Sequence, residues 1–127
     1  MPQRTDYILR MIEQLGAALI ALRKRITGKQ ANREEVDKEL RSVAGMAGFD
    51  LDIVRAATPE MLVMMASSGG ALDNGKCWIM AEALFVDALD RHARDEPADF
   101  DRALRLYSLI DWPEAAERIS EIAKLAI

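Results

Sequence analysis

"GALDNGKC", residues 70–77, is the stretch on which the fold turns. Gly70, four residues, Gly75 and Lys76 follow the phosphate-cradling pattern G-x-x-x-x-G-K-[ST] up to its last place, where Cys77 replaces the magnesium-binding hydroxyl. A loop of that kind needs a strand before it and a helix after it, in a parallel α/β fold. The helix is there: residues 76–94 carry Trp78, Ala81, Phe85, Leu89 and His92 along one face. The strand is not. "PEMLVMMA" at 59–66 imitates one, but Thr58-Pro59 is a helix start. "ALFVD" at 83–87 imitates a strand ending in a magnesium-binding Asp, yet it lies inside the helix that the loop would have to initiate. One segment cannot be both. The stretch therefore reads as an ordinary loop, with Asp73 or Asn74 capping the next helix and Asn74-Gly75 making the turn. A small phosphate- or nucleotide-binding protein using Gly70, Gly75 and Lys76 is the rival reading.

Helical patterning extends in both directions from this loop. Upstream, Ile8, Met11, Ile12, Leu15, Ala18, Leu19, Leu22 and Ile26 recur at three- and four-residue steps. They predict a first helix that starts near Thr5 or Asp6, stops at Thr27-Gly28, and measures about 31 Å over 6–26. Asn32-x-x-Glu35 is a capping box for a second helix, with Val36, Leu40, Val43 and Ala44 on one face before "GMAGFD" breaks it. A short helical turn at 51–57 follows, capped by Asp50. Downstream, Pro97 marks the next helix start, and Phe100, Ala103, Leu104, Tyr107 and Ile110 form its stripe. Asp111-Trp112-Pro113 turns the chain into a last helix bearing Ala116, Ile119, Ile122, Ala123 and Ala126. No segment sustains period-two alternation, so strands have little support. The expected fold is all-α, a single domain over 1–127 of six or seven helices, with a candidate subdomain seam at 67–75.

Two resemblances accompany this pattern. "DYILRMIEQLGAAL", residues 6–19, resembles the opening of a family of small, uncharacterised bacterial proteins sharing D-Y-I-x-R-M-I-E-Q-L-G. That resemblance implies a helical protein and supplies no activity. Ala103, Tyr107, Ile110 and Pro113 resemble the second helix of a tetratricopeptide repeat, with the proline two places early and no second copy at its 34-residue period. It implies at most one repeat-like hairpin at 76–127.

Composition narrows the function. Of 127 residues, half are apolar and 30% are charged, which is globular composition. One cysteine, Cys77, excludes an internal disulfide and fits a reducing, cytoplasmic setting. The uncharged run at 14–22 is far shorter than the roughly 20 residues of a membrane span. The net charge of −4 conceals a division: residues 1–33 hold seven basic and two acidic side chains, and the remainder is correspondingly acidic. An acidic body argues against nucleic-acid binding, which depends on neutralising phosphates. The basic cluster Arg23, Lys24, Arg25, Lys29 and Arg33 reads as a solvated helix end, able to pair with the acidic segment that opens at Glu34-Glu35.

No catalytic, cofactor-binding or metal-ligating set emerges. His92 is the lone histidine, at the edge of a buried stripe. Asp87 and Asp90 precede Arg91 and Arg94 by four residues, the spacing of surface ion pairs. Asp95, Glu96, Asp99 and Asp101 lack the spacing of a calcium loop and gather about a helix start. Met46, Met61, Met64, Met65 and Met80 read as fillers of an irregular core, and Trp78 and Trp112 as buried anchors. The first helix is different. Tyr7, Ile20 and Ala21 widen its apolar arc beyond one packed face, so either helices cover it from two sides or part is left for a second chain. The expected function is a non-enzymatic protein–protein interaction or scaffold module, binding another protein or itself through that helix.

Overall fold

The computed structural model describes the backbone of residues 2–125 and the side chains of residues 8–125. The Tyr7 side chain and Ala126, both counted in apolar stripes above, lie outside the described residues. In chain order the elements are α1 (Pro2–Thr27), α2 (Arg33–Ala47), α3 (Leu51–Ala56), α4 (Pro59–Met65), β1 (Ser67–Ser68), β2 (Ala71–Leu72), α5 (Asn74–Ala93), α6 (Asp101–Ser108) and α7 (Pro113–Leu125). The fold is an all-α bundle, interrupted among the described residues only by a two-stranded hairpin.

Short polar side chains open four of these helices by accepting a bond from an otherwise unpaired amide. Asn32 takes the amide of Glu35 at 2.8 Å, Asp50 that of Ile53 at 3.1 Å, Thr58 that of Met61 at 3.3 Å, and Asp73 that of Lys76 at 3.1 Å. α2 ends on Gly48 in the left-handed region, φ 86°, with the Phe49 amide returning to Ala44 O at 2.9 Å. α1 departs from expectation at both ends. It already runs from Pro2, so Thr5 and Asp6 stand inside it. At its other end the left-handed residue is Lys29, φ 56°, and Gly28 keeps an amide bond to Lys24 O.

α5 is the axis of the bundle. A face of five residues was expected; instead every residue from Ile79 to Ala88 is buried, on all sides. A helix apolar all round must be enclosed. α1 runs parallel to α5: Ile12 lies against Gly75, Gly16 against Trp78, and Arg23 over the Phe85 ring at 5.1 Å. α6 runs antiparallel, with Tyr107 edge-on to Trp78 at 5.6 Å while Phe100 neighbours Phe85 at 6.2 Å. α2 covers a further side of α5 with Val36, Leu40, Val43 and Ala44, all buried as their spacing predicts. Leu15 and Leu40 before the 67–75 stretch share one hydrophobic cluster with Phe85, Leu106 and Ile122 after it.

Three details of the C-terminal half differ from expectation. α6 opens at Asp101, leaving Pro97 in the connection, and buries Leu106 as well as Ala103 and Tyr107. α7 turns Ala115 and Ile122 inward, while Ala116 and Ala123 are exposed. Trp78 and Trp112 are half-buried and tilted against each other, ring centroids 5.6 Å apart. The likeness to a tetratricopeptide repeat rests on sequence alone.

Candidate functional site

The residues of the 70–77 loop serve three separate structural purposes. Gly69 and Gly70, φ 62° and 83°, turn the hairpin that pairs Ser67 with Leu72 and Ser68 with Ala71. Two consecutive positive φ angles favour glycine at both places. Asn74-Gly75, expected at the turn, are instead the first residues of α5. A Cβ on Gly75 would come within 2.1 Å of Ile12 Cδ1, so its missing side chain is the space that α1 occupies. The Lys76 amide is bound by Asp73 Oδ1, a carboxylate at the helix end where a phosphate would have to dock. Cys77 is buried with Sγ 3.4 Å from Leu106 O, and its thiol is pushed up to about 12 by burial and, secondarily, by Asp73.

The acids of α5 are structural as well. Asp87 and Asp90 have the spacing of surface pairs, yet both are buried, because α2 and α3 lay arginines over them. Asp87 Oδ1 accepts from Arg33 at 2.7 Å and from Arg55 at 2.9 Å; Asp90 Oδ2 accepts from Arg33 at 2.9 Å. Burial alone would raise the Asp87 carboxyl, but the Arg55 and Arg33 hydrogen bonds outweigh it and hold it below the ordinary range. On another side of α5, buried Glu82 accepts from Arg118 Nε at 2.8 Å and from the Tyr107 hydroxyl. Burial, with Glu82 second, pushes that hydroxyl well above its ordinary value. Among the described residues no buried side-chain polar atom lacks a partner.

His92, expected at the edge of the core, is exposed and meets Phe100 edge-on at 6.1 Å. Asp95, Glu96, Asp99 and Asp101 are exposed too, and Asp99 is engaged by Arg102 and the Asp101 amide. No group of three His, Cys, Asp or Glu among the described residues could hold a metal ion. No described helix is long and apolar enough to cross a membrane. The basic cluster is largely spent on internal pairs: Arg23 with Glu121, Arg25 with Glu35 at 2.8 Å, and Arg33 with Asp87 and Asp90.

The fold also leaves several large apolar side chains uncovered. Of the methionines expected in the core only Met80 is buried; Met65 is half-buried, and Met46, Met61 and Met64 are exposed. α4 is too short to turn a full face inward, so Leu62 alone is buried while Met61, Val63 and Met64 point out. On α1, Ile20 is exposed beside Ala21, so the wide arc is not covered from two sides there. Ile8 is the sharper case. At 100° per residue it falls on the stripe of Leu15, Leu19, Leu22 and Ile26. Those four are 0–7% exposed, whereas Ile8 is 43% exposed with Leu9 beside it at 53%. The cause is length. α5 starts at Asn74, opposite Ile12, so about ten residues of α1, about 15 Å, run on past its axis partner.

No protein-family model matches this chain, and no curated protein or solved structure matches it.

Proposed function

We propose that the chain is a non-enzymatic interaction module that self-associates through α1. The observation that supports this most is Ile8: a core-stripe position on a helix that outruns its bundle, 43% exposed next to Leu9. A helix that carries its buried stripe past the end of the fold offers apolar surface with no internal partner. Ile20 adds a second uncovered position on the side that Leu9 shares, eleven residues and about 20° around the helix from it. The engagement of Glu82, Asp87 and Asp90 by arginines supports a structural over a catalytic role for the acids of α5.

Light scattering across a tenfold concentration range tests the reading. A mass above that of the 14.2 kDa chain, rising with concentration, is expected for wild type. The Ile8→Glu/Leu9→Glu variant should return the monomer mass with an unchanged helical circular-dichroism spectrum. A wild type that remains a monomer throughout would sink the self-association. The exposed Met61, Val63 and Met64 of α4 favour a second surface for a protein partner, since methionine-rich faces adapt to varied partners. A dimer that survives Ile8→Glu/Leu9→Glu but dissociates on Met61→Glu/Met64→Glu would move the interface there.

A further inference from the structure

A cleft of about 730 Å³ opens where the end of α1, the connection at 28–32 and the last turn of α5 meet. Small-molecule sites commonly enclose about 300–1,000 Å³. Its floor is apolar, formed by Ile26, buried, and Leu89, half-buried. Lys29, His92 and Arg94 stand exposed around it. Asp90 is the one carboxylate in the lining; it is buried, and both its oxygens already meet guanidinium groups, Oδ2 that of Arg33 at 2.9 Å and Oδ1 that of Arg94 at 3.0 Å.

Two donors remain, one held by its side-chain bonds and one by its backbone alone. Arg94 is tied on one side by Asp90 and on the other by Ala31 O at 3.0 Å from Nη2, which leaves Nη1 unengaged among the described residues. Lys29 forms no ion pair among the described residues. Its backbone is held at φ 56°, uncommon for a lysine, by its amide bond to Ile26 O at 3.1 Å. Lys29 and Arg94 thus line a cleft whose only carboxylate is buried and already paired with two arginines. A cationic ligand would find no counter-charge there, and a neutral apolar one would leave the donors without a new acceptor. An anionic head above an apolar body satisfies both halves.

We propose that this cleft binds a small organic anion with an apolar body, its head held by Lys29 and Arg94 and its body lying on Ile26 and Leu89. The site is remote from Ile8 and Leu9 and does not depend on self-association, so either reading can fail without the other. Calorimetric titration of the whole chain with octanoate, octyl phosphate, octylammonium and inorganic phosphate tests it. Saturable one-to-one binding of octanoate or octyl phosphate is expected, with no binding of octylammonium and at least about tenfold weaker binding of inorganic phosphate. Lys29→Glu, an exposed substitution, should weaken the anion by about tenfold or more at unchanged helicity. Ala93→Trp, filling the wall of the cleft, should abolish binding. The proposal is overturned if neither amphiphilic anion binds, or if octylammonium or inorganic phosphate binds as well as they do. Wild-type affinity in Lys29→Glu would overturn it equally.

Discussion

Gly75→Ala puts one methyl group where α1 already lies. An ideal Cβ at this position is 2.1 Å from Ile12 Cδ1 and 3.2 Å from Ile12 Cγ1. Carbon atoms in comfortable contact are about 3.5–4.0 Å apart. Turning Cδ1 away at χ2 leaves Cγ1 still closer than ordinary contact, so Ile12, or α1 with it, must also move back by about a few tenths of an ångström. Overpacking of this kind costs about 1–3 kcal/mol. Removing a helical glycine returns about 0.5–1 kcal/mol at most. The net expectation is destabilisation by about 1–2 kcal/mol in urea unfolding, with a fall in Tm on the order of 5 °C. In an Ile12→Ala background the added methyl meets no isoleucine and only the helix gain remains, so the same substitution should stabilise by about 0.5 kcal/mol. The change of sign, read as a double-mutant cycle, isolates the Gly75–Ile12 contact from general effects of alanine. A Gly75→Ala single variant as stable as wild type would refute the claim that this glycine exists to admit α1.

Asp87→Asn leaves Arg33 and Arg55 over a neutral group and should cost about 2–4 kcal/mol in urea unfolding. The folded Asp87 carboxyl lies below its unfolded value, so its contribution is complete above about pH 4 and is lost as pH falls through the folded value. Wild type should therefore lose stability more steeply than Asp87→Asn below about pH 4, and parallel pH profiles would contradict the ion-pair account. Cys77, with its thiol pushed up to about 12, should resist Ellman's reagent at pH 8 until urea unfolds the chain. Rapid labelling of the native protein would show that the site is open.

Four helix starts were legible because a cap is a local event: Asn32, Asp50, Thr58 and Asp73 each bond an amide three residues on, and sequence alone places both partners; α6, which has no side-chain cap, opens four residues after the expected Pro97. The enclosure of α5 was legible in principle and was missed. Ile79, Met80, Ala83, Leu84, Val86 and Ala88 lie off the expected stripe, and apolar residues on every face signal a central helix. The fate of Asp87 could not be read locally. Four-residue spacing to an arginine is the same on a surface and in a core; only α2 and α3, folding back with Arg33 and Arg55, decide which it is. The methionines failed for a related reason. Met61 and Met64 belong to a helix of seven residues, and how much of so short a helix is covered depends on distant elements, here chiefly α6. The hairpin at 67–72 has strands of two residues, too short for any alternation to register.

The division of charge along the chain acquires a physical meaning once folded. A basic N-terminal segment and an acidic remainder would suggest a surface with two poles. Folding instead consumes the division: Arg23 reaches Glu121 on α7, Arg25 reaches Glu35 on α2, and Arg33 reaches Asp87 and Asp90 on α5. Glu82 and Asp87 lie on sides of α5 about 140° apart. Glu82 faces α6 and α7, and Asp87 faces α2 and α3. Rotating or sliding α5 would strand at least one of them without its arginine, and a buried unpaired charge costs about 3–5 kcal/mol. The amount of apolar area buried discriminates weakly, because α5 is buried on every side and burial is indifferent to direction; shape fits such as Gly75 against Ile12 act beside the ion pairs. The arginines therefore help to set the rotation of the axis helix, and basic side chains outside this role remain to meet another molecule. Lys29, beside the cleft at the end of α1, is one of them.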